Sequence, residues 1–207
     1  VKIVLASASP RRRLLLAKLG LKFVVAPSNV KEVAELKGMP IEELVQRNAL
    51  MKARAIAGKE QGALIIGCDT DIYFKGKVIG KPKNAEDAKR ILREFSNKWH
   101  SIISGIAIID TATGREITDF EKTKVKVKRL SEQKISKYVM TGEPLDKAGA
   151  YGIQEKGRFL IEKFDGSYSN IVGLPLEKLT LRLKEFGVHI LRKRKLLFKK
   201  RNGGKKN

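Results

Sequence analysis

Two hydrophobic periods alternate along this chain. Lys2–Ala6 is a nearly unbroken apolar run, the pattern of a strand buried on both faces. Ser9 and Pro10 supply the N-cap and first position of a helix over Arg11–Leu19, which Gly20 ends. Leu21–Ala26 reads as a second strand. Pro40–Gly58 predicts a long helix, with Leu44, Asn48, Met51, Lys52 and Ala55 at helical spacing. Ala63–Gly67 reads as a short apolar strand closed by Cys68-Asp69-Thr70. Ile72–Phe74 and Lys77–Ile79 form a hairpin around Lys75-Gly76.

Further on, Asn84 caps a helix over Ala85–Phe95, and Ser101–Asp110 predicts a strongly apolar strand. After a turn at Thr113-Gly114, Ile117–Leu130 alternates as a long strand. Its segment Lys124–Lys128 has one apolar and one cationic face. Ser131–Met140 reads as a helix. Phe159–Phe164 and Tyr168–Val172 read as two strands joined by Asp165-Gly166-Ser167, and Leu176–Phe186 as a helix after Pro175. Helices interleave with hairpins, so the predicted class is α/β, a mixed sheet with flanking helices. Residues 1–190 read as a single domain and 191–207 as a mobile basic tail.

Composition narrows the chemistry. The single cysteine, Cys68, excludes an internal disulfide and a cysteine zinc site, and two histidines, His100 and His189, exclude a histidine-rich metal centre. A metal here is expected to be magnesium or manganese, held by carboxylates and phosphates. The reduced cysteine, the absence of an 18-residue apolar run and the apolar start predict a cytoplasmic protein without membrane span or secretory leader. Net charge is +22, from 44 basic and 22 acidic residues, and residues 190–207 hold nine of the basic ones. The body is therefore basic without its tail, and such a field attracts polyanions: nucleotides, nucleic acid or a membrane surface.

Several residue groups carry candidate chemistry. Ser7–Arg12 joins a strand, a tight turn and a helix N-terminus, where free N–H groups face a bound anion. Ser7 and Ser9 add hydroxyls; Arg11 and Arg12 add planar guanidinium groups suited to phosphate. Asp69 offers a carboxylate to activate water or hold a metal, and alternation turns Asp71 to the same side. Lys52, in an otherwise apolar helix, either snorkels or meets an anion; Lys81, in Gly80-Lys81-Pro82, is a second candidate for phosphate. Gln154 ends the glycine-containing loop Asp146–Gln154 and offers a paired donor and acceptor to a base edge. Glu32 reads as a surface acid or a metal ligand. Cys68 reads as a small buried residue, and Trp99, beside His100, as packing rather than base stacking.

In order, Leu5–Arg12, Leu50–Ala55, Asp69-Thr70, Gly80-Lys81-Pro82, Gly142-Glu143-Pro144, Asp146–Gln154 and Gly173-Leu174-Pro175 resemble the Maf family, also called septum formation inhibitor proteins. The resemblance covers Val1 to Phe186. It implies a nucleoside triphosphate pyrophosphatase, cleaving between the α- and β-phosphates with a divalent cation. It also implies an elongated, two-lobed fold with a central cleft, like that of inosine triphosphatases, and a homodimer. Asp69 is then the proton acceptor. Arg11, Thr70 and Gln154 carry specificity; Ser7, Ser9, Arg11, Arg12, Lys52 and Lys81 are expected at the phosphates from their own chemistry. On the residues' own chemistry, Asp69 is expected to hold the metal, with Glu32 either joining it or standing as a surface acid. The loop ending at Gln154 resembles the branch acting on dTTP and UTP more than the branch acting on 7-methyl-GTP.

Two positions depart from the family pattern. Asp71 stands where an apolar residue is usual, and His100–Gly105 is a variant segment. Three other readings stay open: a pyrophosphatase for modified purines, a nucleic-acid-binding protein using the cationic strand and basic tail, and a regulator of cell division.

Overall fold

The computed structural model describes residues 1–33 and 38–190. The elements run β1 (Lys2–Leu5), α1 (Pro10–Ala17), β2 (Val24–Val25), α2 (Ile41–Ala57), β3 (Ala63–Phe74), β4 (Lys77–Val78), α3 (Ala85–Phe95), β5 (Trp99–Asp110) and β6 (Glu116–Val127). They continue with α4 (Glu132–Val139), β7 (Ile161–Asp165), α5 (Tyr168–Val172) and α6 (Leu176–Lys184), with single 3-10 turns between α4 and β7. All seven strands form one mixed sheet in the order β2-β1-β3-β5-β6-β7, with β4 on the end of β3. The first three strands in that order run parallel and the remaining pairings are antiparallel. The α/β class with a mixed sheet is as the sequence predicts.

Alternation along β3 and β5 sorts their residues to two faces. On one face Leu64, Ile66 and Cys68, with Ile106 and Ile108, pack against α1 and α6. Farther along the same face Ile72, Phe74 and Ile102 pack against α3 and α4. Thr70 and Ser104 lie between these two apolar halves, their hydroxyls 2.8 Å apart, and make a polar seam across the sheet. On the opposite face α2 lies directly on the strands. A Cβ at Gly105 would stand 2.2 Å from the Val45 carbonyl oxygen, and one at Gly67 2.1 Å from that of Ala49. Glycine at both positions lets the helix approach at backbone distance.

Four sequence expectations need correction. Asp69 and Thr70 do not end a strand: β3 continues to Phe74 because residues 64–73 pair without a break with β5. The predicted strand over Leu21–Ala26 shortens to Val24–Val25, which pairs only with the edge of β1. Tyr168–Val172 is helix α5, not a strand; Ser167 Oγ accepts the Asn170 N–H (3.2 Å) and caps it. Phe159 and Leu160 close a 3-10 turn, so no hairpin joins 159–172. The predicted tail, 191–207, lies outside the described residues. Among those described, no helix is long and apolar enough to cross a membrane.

Candidate active site

β1 pairs with β3 only as far as Leu5 opposite Ile66, and β4 reaches only Tyr73 and Phe74. Between them, no strand among the described residues lies beside this edge of β3. A cleft of about 570 Å³ opens there, within the range of small-molecule sites. Ser9, Arg11, Asp69, Asp71, Lys81 and Gln154 all line it, with Glu32, Arg12 and Thr70. Sequence reasoning had named all of these. Ser7 and Lys52, expected at the phosphates, lie behind the cleft wall, each 6% exposed.

Asp69 is 4% exposed and held through both carboxylate oxygens. Lys52 Nζ donates to Oδ1 (2.7 Å) and Asn48 Nδ2 to Oδ2 (3.0 Å). Both donors come from α2, one turn apart, so the close approach allowed by Gly67 and Gly105 brings them onto the carboxylate. Lys52 also pairs with Glu32, whose side chain is 56% exposed. Asn48 was noted only for its spacing. It also exchanges two hydrogen bonds with the Val33 backbone, both 3.0 Å, and so ties the Glu32 segment to α2. A polar side chain one turn before a lysine on an apolar helix face was the available signal. Asp71 shares the cleft with Asp69, as alternation predicted. Burial first, and then repulsion from Asp69 and Glu32, push its carboxyl up to about 7.

Arg12 is not free for a ligand. Its Nε donates to the Gly173 carbonyl (2.9 Å), Nη1 to the Cys68 carbonyl (2.9 Å), and Nη2 to Thr70 Oγ1 (3.2 Å). It thereby satisfies a β3 carbonyl left unpaired by the gap in the sheet. Gly173 sits at φ 117°, where only glycine is at ease, and turns that carbonyl inward. Ser7 Oγ accepts the Ser9 N–H (3.2 Å), and Ser9 Oγ accepts the Arg12 N–H (3.4 Å), which fixes the turn into α1. Arg11 is the guanidinium left facing the cleft. Cys68 is fully buried, as expected, and burial pushes its thiol up, away from the thiolate a nucleophile needs.

On the opposite wall, the loop of Lys81 and the loop of Gln154 meet where Gly149 N–H donates to the Gly80 carbonyl (3.0 Å). Glu143 Oε1 accepts from the Tyr138 hydroxyl (2.8 Å) and the Gly157 N–H (3.0 Å), and Oε2 accepts from the Lys156 N–H (3.0 Å). These contacts pin the backbone following Gln154. Lys147 is 7% exposed and bonded to Asp146 (2.9 Å). Glu143 and Lys147 fall within motifs quoted from the sequence, but neither was given a role there. Among the described residues, no three His, Cys, Asp or Glu side chains are grouped to hold a metal ion by themselves.

Residues 2–186 match the family described as Maf-like protein. The dTTP/UTP pyrophosphatase of Acetivibrio thermocellus is 48% identical over 200 residues, which cover 93% of this chain and 99% of that protein. The dTTP/UTP pyrophosphatase of Dictyoglomus turgidum is 44% identical over 190 residues, covering 92% and 98%. Among solved structures, a HAM1 protein from Coxiella burnetii aligns with a TM-score of 0.50 at 17% identity, over 89% of this chain and 99% of that one. The Staphylococcus aureus Ham1 protein does so with a TM-score of 0.50 at 12% identity, over 90% and 100%. At these identities the two structures speak for the fold alone.

Proposed function

The chain belongs to the Maf family, and from that premise we propose that it is a nucleoside triphosphate pyrophosphatase that converts dTTP and UTP to monophosphate and pyrophosphate. The observation that carries this reading is the placing of Asp69. A buried carboxylate, oriented by Lys52 and Asn48, faces a cleft whose other lining groups include the cations Arg11 and Lys81. The names of the A. thermocellus and D. turgidum relatives support the substrate choice.

In this mechanism the triphosphate rests on Ser9 and the positive end of α1. Arg11 and Lys81 neutralise its oxygens and the charge that grows on the leaving pyrophosphate. Asp69 takes a proton from the water that attacks the α-phosphorus. Its Oδ1 and Oδ2 each keep a lone pair beyond the bonds to Lys52 and Asn48. Ser7, Arg12 and Lys52 serve by holding the turn, the strand edge and the carboxylates, rather than as free ligands of phosphate. Gln154, with Thr70, faces the base.

Glu32, Asp69 and Asp71 bring hard oxygen donors near one another, and their mutual repulsion is what a divalent cation relieves. They fit magnesium or manganese shared with the substrate's phosphates, an arrangement that needs no cage of three protein ligands. Such an ion would supply charge stabilisation at the phosphates.

The test is product analysis over a panel of nucleoside triphosphates with magnesium or manganese, using Asp69→Asn as control. Monophosphate plus pyrophosphate from dTTP and UTP, lost in the variant, is the expected result. Release of orthophosphate, or preference for 7-methyl-GTP or inosine triphosphate, would overturn the reaction or the base assignment respectively.

A further inference from the structure

Trp99, the only tryptophan, opens β5 and is 42% exposed. It was expected to pack; instead its ring stands at the open end of the sheet. The strand register sets Trp99 opposite Lys126, and Lys126 opposite Lys163. Lys163 Nζ lies 5.8 Å from the Trp99 ring centroid. In the next row Tyr73, Ser101, Lys124 and Asp165 stand side by side on four strands. Trp99, Tyr73, Ser101, Lys124, Asp165 and Lys75 border a hollow of about 500 Å³.

Two features of this face work against the isolated fold. A large aromatic ring left in water forgoes its hydrophobic stabilisation. Lysines directly opposed across two strands destabilise a sheet. Lys126 is held by the Asn97 carbonyl (2.6 Å) and Lys163 by the Trp99 ring, so among the described residues neither charge meets a carboxylate. A ligand with both a flat apolar face and a string of negative charges would relieve both.

We propose that this end of the sheet binds single-stranded nucleic acid, with one base stacked on Trp99 and the phosphates running along Lys124, Lys126 and Lys163. Aromatic rings flanked by cations on an open sheet are the means by which proteins hold unpaired strands. The stacked base takes the place of Lys163 over the ring and frees its ammonium for a phosphate. Asp165 faces the same hollow and accepts an N–H from a base, which in thymine is the ring N3–H. A duplex offers no base face to the ring, and an acidic protein would satisfy the lysines but not Trp99. The +22 charge of the chain draws the strand in from a distance.

Trp99 is its own reporter. The full chain is titrated with a twelve-residue oligothymidylate bearing hydroxyls at both ends, at low and moderate salt. Tryptophan emission and the anisotropy of a labelled oligomer are followed together. Saturable change in Trp99 emission, affinity that falls with salt, and about 10-fold weaker binding in Trp99→Ala are expected. Trp99→Phe should restore most of the affinity, and dTTP turnover should be unchanged in both variants. An oligomer that binds without moving the emission, or as tightly in Trp99→Ala, would overturn the proposal. So would equal competition by duplex, or no binding at low salt.

Discussion

Lys52 Nζ stands 2.7 Å from Asp69 Oδ1, and both side chains are less than a tenth exposed. A buried pair of this kind is costly to break from one side, because the remaining charge keeps its desolvation penalty without its partner. Lys52→Met leaves Asp69, Asp71 and Glu32 facing one another, and should lower unfolding free energy by about 3 kcal/mol. Asp69→Asn keeps the shape of the side chain, and Lys52 retains Glu32. It should cost less stability, yet reduce turnover by roughly 10²-fold or more. Urea denaturation and pyrophosphate release, measured on both variants, separate the two roles. Near-normal turnover in Asp69→Asn would transfer the base to another carboxylate.

The two neighbouring arginines should fail differently. Arg12 bonds to two carbonyls and two hydroxyls, whereas Arg11 faces the cleft. A lysine at position 12 cannot present three separated N–H donors. Arg12→Lys should lower stability by about 2 kcal/mol and impair turnover together. Arg11→Ala should leave the melting temperature nearly unchanged and raise KM. Equal stability of the two variants would contradict the bracing role of Arg12.

Gly105 tests whether the closeness of α2 matters to chemistry. A methyl group there meets backbone atoms of Val45 and Gln46 at 2.2–2.5 Å, so the helix must move away. Asn48 and Lys52 travel with it. Gly105→Ala should cost about 1–3 kcal/mol and reduce kcat more than KM. If the variant is destabilised but its kcat is intact, Asp69 does not depend on its helical donors.

His100 predicts acid sensitivity of the fold. Its ring stacks on Phe95 with centroids 4.4 Å apart, Nε2 lies 2.6 Å from the Tyr151 hydroxyl, and Nδ1 is buried without a partner. Burial pushes its pKa down from 6.5 to about 3. The unfolded chain therefore binds this proton more readily than the folded one. The stability contributed by neutral His100 is complete above pH 6.5 and is lost as pH falls from there towards 3. Between pH 6.5 and 4.5 the loss should be about 2 kcal/mol. His100→Gln should flatten that part of the stability profile, as urea midpoints at the two pH values would show. Parallel profiles for parent and variant would exclude His100 as the source.

Elements set by local period were readable from sequence, and those set by distant partners were not. The helical spacing of Leu44, Asn48 and Lys52 fixed α2 and put two of the Asp69 donors on one face. Asp69-Thr70-Asp71 interrupted an apolar run and so looked like a strand end. What keeps that segment extended is pairing with Ile103–Gly105, more than thirty residues away. Tyr168–Val172, with aromatic and β-branched residues, looked like a strand. The Ser167 cap prevails there, together with the bonds of Asn170 Nδ2 to the Ile102 carbonyl and Thr123 Oγ1. The lining of the cleft was legible because each motif carries its own chemistry. The reassignment of Arg12 was not, since its acceptors lie 56 and 161 positions along the chain.

That longest tie, from Arg12 to Gly173, gives the site a place in time. During synthesis β1, α1 and the turn between them leave the ribosome well before Gly173. The brace that fixes the turn against β3 waits for Gly173, 161 positions after Arg12. A nascent or truncated chain can therefore display the turn's serines and arginines without the held strand edge beside them. The turn is braced against β3 only once Gly173 has been made and has folded back onto Arg12.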